Sequence, residues 1–212
     1  MSIDVTSRSA NEIDYYPVMC KNVAKHAGFT LIELLMTIAI AGILITMAIP
    51  SFNSIISSNR LTNSANDLVG ALNLARSEAI KRGQPVSIRK SGVNWESGWR
   101  LFTDRDGDGV EDVGDGDTLL RTYPALPATF TLRGTTPSYT NRITYQPSGI
   151  SANGSFVICD NSDGNNVPEA NTSRVIIINT VGRVRIGIDA DNNGIPEKDD
   201  GEIISCTVSP FT

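Results

Sequence analysis

The tract Phe29–Ile49 limits most strongly what this chain can become. It runs for 21 residues with Glu33 as its only charged side chain. As a helix it would be roughly 31 Å long, enough to cross a bilayer core of about 30 Å. Lys21 and Lys25, with His26, lie just before it. Cations on that side favour a cytoplasmic N-terminus, so the chain after Pro50 is expected beyond the membrane. Two features do not suit a plain anchor. A carboxylate costs about 2.5–3.5 kcal/mol at mid-membrane on insertion scales, and less near the edge, so Glu33 is expected to have a partner. Gly28-Phe29 is also an abrupt junction between a polar leader and an apolar run.

The run Gly28-Phe29-Thr30-Leu31-Ile32-Glu33 resembles the processing motif of type IV pilins and type II secretion pseudopilins. The resemblance implies that a membrane-embedded prepilin peptidase cuts after Gly28 and that the new amine on Phe29 is methylated. It also implies an assembly role for Glu33. A terminal amine in a filament core needs a counter-charge, because buried charges must be paired. Glu33 of a neighbouring subunit can supply it, which makes this residue a register device, distinct from a catalytic acid. Partners follow from the same resemblance: other pilins through the N-terminal helix, the peptidase, and inner-membrane lipid before assembly.

With the leader 1–28 set aside, the 212-residue chain leaves room for one soluble domain of ordinary size. Residues 1–25 are polar and mixed, with no apolar stretch of their own, so they do not form a conventional secretory signal. The net charge is −5. Arg8, Lys21 and Lys25 balance Asp4, Glu12 and Asp14 in the leader, so the whole deficit belongs to the mature chain. That excludes indiscriminate polyanion binding and confines any nucleic-acid contact to a local basic patch. Of three cysteines, Cys20 falls in the leader. Cys159 and Cys206 fall on the oxidising side, where an even pair points to one disulfide near the C-terminus; two separate buried thiols are the alternative.

Helical spacing continues past Pro50. Phe52, Ile55, Ile56, Ala65, Leu68, Val69, Leu72, Ala75, Ala79 and Ile80 recur at steps of three and four. The pattern ends at Lys81-Arg82-Gly83-Gln84-Pro85, where cations, glycine and proline follow in the order of a helix stop. The spacing predicts one helix over about 29–83, with a kink or local melting near Pro50. Residues 29–50 would be its membrane or filament-core half, and 51–83 its amphipathic continuation. Residues 84–212 read as a β domain. Its candidate strands are 86–90, 98–103, 119–123, 129–132, 143–146, 155–159, 175–179, 184–188 and 203–208, all short and set between Gly, Pro, Asn and Asp. The expected fold class is α+β: one long N-terminal helix packed on a mostly antiparallel β domain, the lollipop of pilins. The segment 72–86, with Leu74-Ala75-Arg76-Ser77-Glu78-Ala79 and Arg82-Gly83, resembles the H pseudopilin and FimT/FimU subgroup more than major pilins.

Two constellations carry chemistry. In 104–115, Asp104, Asp106 and Asp108 sit at loop positions 1, 3 and 5, a glycine at 6, Asp112 at 9 and Asp115 at 12, which matches the calcium-loop template. It departs in having Asp at position 12 and strands on either side. A weaker copy spans 189–200. The alternative for both is a hydrated Asp/Gly hairpin loop. The second constellation is Gly182-Arg183-Val184-Arg185. Residues i and i+2 of a strand share a face, so Arg183 and Arg185 would project together while Val184 and Ile186 face the core, with Arg174 on an adjacent strand. Paired arginines grip phosphates. The motif resembles the Gly-Arg-x-Arg of FimT-like minor pilins, which implies contact with DNA during its uptake. The alternative is an edge strand guarded by cations.

No enzyme signature is present. The single histidine, His26, is in the leader, which excludes a Ser-His-Asp arrangement in the mature chain. There is no phosphate-binding Gly-Lys loop and no zinc spacing. The expected function is that of a FimT/FimU-like minor pilin helping to initiate or cap a type IV pilus. The H pseudopilin of type II secretion and a DNA-capture pilin are the alternatives. No cofactor is required, calcium being the one candidate.

Overall fold

The computed structural model describes residues 28–198 and 201–207, with no account of the side chains of 47–51. The expected leader, apart from Gly28, lies outside the described residues. The chain divides into two compact units, 1–46 and 47–212. One helix, α1 (Leu31–Arg82), runs without a break through Pro50, so the expected local melting there is not seen. In the first unit every described side chain from 31 to 46 is exposed, a continuous apolar surface. Among the described residues no helix is long and apolar enough to cross a membrane. Within the 29–49 tract read from the sequence, the described side chains extend to Thr46.

In the second unit α1 buries Leu61, Ala65, Leu68, Ala71, Leu72, Ala75 and Ala79 on one face, at steps that keep a single stripe turned inward. Small alanines in this stripe let the sheets approach the helix closely. The helix ends where the sequence stops it: Gly83 adopts a φ of 65° and donates its N–H to the Ala79 carbonyl at 3.0 Å.

Eight strands follow as two four-stranded antiparallel sheets. They are β1 (Val86–Lys90), β2 (Trp99–Thr103), β3 (Leu119–Tyr123), β4 (Phe130–Gly134), β5 (Arg142–Tyr145), β6 (Gly154–Asp160), β7 (Ser173–Ile178) and β8 (Val184–Ile186). The first sheet has the order β3-β2-β1-β5 and the second β4-β6-β7-β8. Val86, Ile88, Leu101, Ile143 and Tyr145 of the first sheet join Leu132, Phe156, Ile158, Ile176 and Ile178 of the second in one core around the helix stripe. Trp95 and Tyr139 close it, each with its ring against Phe156.

The second sheet is buried on its other face too. Val157, Cys159, Val175 and Ile177 form a smaller core with Ile195, Ile203 and Cys206 from the C-terminal segment. This corrects the strand expected over 203–208. Residues 203–205 join no ladder, and Val208 lies outside the described residues. Ile203 is buried as a plug against the sheet face, so an apolar run of strand-like composition is satisfied by packing instead of pairing. A two-residue pair, β9 (Glu197–Lys198) with β10 (Gly201–Glu202), precedes it.

Candidate functional site

Phe29 and Glu33 lie at the start of the first unit. Thr30 caps α1: its Oγ1 accepts the Glu33 N–H at 3.2 Å, and its carbonyl accepts the Leu34 N–H at 3.1 Å. Thr30 and Glu33 stand in the spacing of a capping box, and a carboxylate in the first turn suits the helix dipole. Phe29 is 83 % exposed. Glu33 is exposed and makes no ion pair among the described residues.

The Asp-rich segment connects β2 to β3. Asp104, Asp106 and Asp108 each bring a carboxylate oxygen within 4.8 Å of the others, while Asp112 and Asp115 are not part of that group. Asp104 is fully buried and accepts from the Ser87 hydroxyl and the Gly109 N–H. Asp106, Asp108 and Asp112 each accept the N–H two residues on, the bonding of Asx turns. Asp115 is fully exposed, and the Asp112 and Asp106 carboxylates push it above the ordinary carboxylate range. Asp117, which the sequence template passes over, is buried and closes the loop by accepting the N–H groups of Arg105 and Asp112. The loop therefore satisfies itself, and Asp104, Asp106 and Asp108 are the residues with the geometry to hold a cation. In the weaker copy Asp189, Asp191 and Glu197 form a similar group, each already accepting a backbone N–H. Residues 199 and 200 lie outside the described residues.

Arg183 and Arg185 are exposed on the β7–β8 hairpin and line a cavity of about 220 Å³ with Ile177, Asn179 and Val184. The hairpin is tightly fixed. Asn179 accepts the Arg183 N–H on its side chain and the Gly182 N–H on its carbonyl. Gly182 has a φ of 73°, and a Cβ there would overlap the Gly149 carbonyl oxygen. Arg76 of α1 donates from Nε to the Gly149 carbonyl at 3.0 Å and from Nη2 to the Val181 carbonyl at 3.1 Å. No local pattern marks this clamp, since its partners lie 73 and 105 residues away. Two expectations are corrected. Val184 packs on the core, but Ile186 stays 40 % exposed, because β8 is a three-residue edge strand with little above it. Arg174 does not join the pair. It is half-buried on the helix-facing side of β7, with Nη2 donating to Ser58 Oγ at 3.0 Å and Thr62 Oγ1 at 3.2 Å. Burial lowers its affinity for its proton.

Cys159 and Cys206 form a disulfide, with Cα atoms 5.7 Å apart, which ties the C-terminal segment to β6.

Comparison with known proteins places this geometry. The family model described as Type II transport protein GspH matches residues 64–182, and the Prokaryotic N-terminal methylation motif matches residues 23–49. A fimbrial protein of Pseudomonas aeruginosa is 33 % identical over 88 residues, 41 % of this chain and 56 % of that protein. The chain thus spans about half the length of the curated relatives it matches. Among solved structures, the type IV minor pilin FimU of Pseudomonas aeruginosa aligns with a TM-score of 0.49 at 24 % identity, over 70 % of this chain and 96 % of that one. The minor pseudopilin EpsH of the Vibrio cholerae type 2 secretion system aligns with a TM-score of 0.43 at 15 % identity, over 60 % and 95 %. On the family model that covers more than half its length, and on the methylation motif before it, the chain belongs to the GspH family of type IV pilins and pseudopilins.

Proposed function

We propose that this chain is a minor pilin that helps initiate or cap a type IV pilus, after prepilin peptidase cuts between Gly28 and Phe29 and methylates Phe29. Before assembly residues 29–50 anchor it in the inner membrane, with the domain on the far side. On assembly the exposed apolar surface of 31–46 passes from lipid into a bundle of like helices, and Glu33 meets the terminal amine of a neighbour. The observation that carries this reading is the methylation motif, matched at residues 23–49, whose end falls within a helix that runs on into the GspH match. The role is structural. The test is a strain lacking the chain. It should lose surface pili while type II secretion continues. Normal piliation with failed secretion would move the chain to the H pseudopilin role.

A second reading, DNA capture, is favoured by Arg183 and Arg185, both exposed and lining one cavity with Ile177, Asn179 and Val184. In that reading Arg183 and Arg185 grip phosphates. Binding of duplex DNA should weaken with salt and vanish in the Arg183→Ala/Arg185→Ala variant. Equal binding by that variant would remove the reading.

A further inference from the structure

The order of the first sheet leaves β5 at an edge. Lys90 donates its N–H to the Asn141 carbonyl at 3.1 Å, so residues 141, 143 and 145 turn their backbone groups toward β1. Arg142 and Thr144 therefore turn theirs outward. No hydrogen bond reaches the backbone groups of either residue among the described residues. Along this edge lies a cavity of about 570 Å³, whose polar walls include Asn141, Thr144 and Gln146.

The charge beside the edge is unbalanced. Strand register sets Arg142 opposite Arg89 and Arg89 opposite Arg100, on the face turned from the helix. Like charges directly opposite repel, so such a row needs counter-charges. Arg100 has one in Glu111, at 2.8 Å. Arg89 and Arg142 donate instead to the backbone carbonyls of Gly109 and Asp108 and make no ion pair among the described residues. Asp108 also lines the cavity, but its carboxylate is held by the Val110 N–H at 2.6 Å. Two guanidinium groups thus border the groove with backbone carbonyls as their hydrogen-bond partners, and Asp108 is the one carboxylate among its lining residues.

We propose that the β5 edge takes an extended acidic segment of a neighbouring polypeptide as an added strand. Arg142 and Thr144 supply two N–H donors and two carbonyl acceptors to its backbone. Carboxylates at alternate positions of the segment fall on the outer face, one beside Arg142 and within diagonal reach of Arg89. The backbone edge provides affinity for any strand, and the arginines select an acidic one. A guard against aggregation would need a single cation on the edge strand. Here the cations are two, on neighbouring strands, beside a groove of about 570 Å³.

The test uses the full chain in detergent and two blocked octapeptides: Ser-Thr-Glu-Val-Glu-Val-Thr-Ser and its counterpart with lysine at both glutamates. Amide hydrogen exchange is read at residues 142 and 144. The acidic peptide at saturation should slow exchange at both by about tenfold or more, and the lysine peptide should not. Thr144→Pro removes an outward N–H while leaving the β1 ladder intact, and it should abolish binding. Arg142→Glu should reverse the preference between the peptides, and it decides the matter if the proline variant does not fold. Unchanged exchange with the acidic peptide, or equal protection by both peptides, overturns the proposal. So does tight binding by a folded Thr144→Pro chain.

Discussion

Replacing Cys159 and Cys206 together by alanine tests how the C-terminal segment is held. The bridge spans a sequence separation of 47 residues. In the chain-entropy treatment, a loop of that length restrains the unfolded chain by about 4 kcal/mol, close to a thousandfold in the folding equilibrium. The structure says where the loss would be felt. Ile203 and Cys206 cover Val157, Val175 and Ile177 on the outer face of the second sheet. Without the bridge, that cover depends on Ile203, Ile195 and the Cys206 N–H bond to the Asn166 carbonyl. Urea unfolding followed by tyrosine and tryptophan fluorescence should show a much lower midpoint for the double variant, matched by the wild-type chain under reductant. A hydrophobic dye should bind the variant before the main transition, as the sheet face is uncovered. A midpoint change worth under about 1 kcal/mol, the size of an ordinary surface substitution, would refute the reasoning.

Other outcomes follow from the same structure. Glu33→Ala should leave membrane insertion and cleavage intact and reduce incorporation into filaments, read by immunoblot of sheared pili; full incorporation would refute the pairing of Glu33 with a terminal amine. Gly182→Ala should lower stability by about 1–3 kcal/mol, because a left-handed residue gains a side chain where the Gly149 carbonyl already sits. An unchanged melting temperature would show that the hairpin shifts without cost. Asp115 should titrate above an ordinary aspartate in a carbon-detected NMR experiment, and Asp112→Asn should bring it down. The sign for stability follows: a carboxyl raised in the folded chain favours folding below its unfolded pKa. That contribution is lost as pH rises through the raised value, so Asp115 works against the native loop at neutral pH.

Much of this architecture was legible in the sequence because its signals are local. The helix stripe at Leu68, Leu72, Ala75 and Ala79 and the stop at Gly83 need only neighbouring residues to be read. So do β1 to β8, whose centres fall within the runs of branched and aromatic residues. The remainder depends on contacts between distant parts of the chain. The run from Val175 to Ile178 is apolar throughout, since β7 is covered on both faces, so no alternation reveals which way Arg174 points. It points to the helix. Ile203 has the composition of a strand residue, and only the bridge and the uncovered sheet face make it a plug. Arg76 reads as one more polar residue on a helix, and its role depends on two glycine-containing turns that close on it. Asp117 sits two residues beyond the calcium template, yet it is the buried carboxylate that closes the loop.

In the role proposed above, the chain is processed at Gly28-Phe29 before it joins a filament. Intact-mass and N-terminal fragment analysis of the chain recovered from the cell envelope tests it most directly. The mature chain should begin at Phe29, carry one added methyl group on its terminal amine and lack two hydrogens for the Cys159–Cys206 bridge. A chain that still begins at Met1 in cells that process their other pilins, or one cut elsewhere with an unmodified amine, would contradict it.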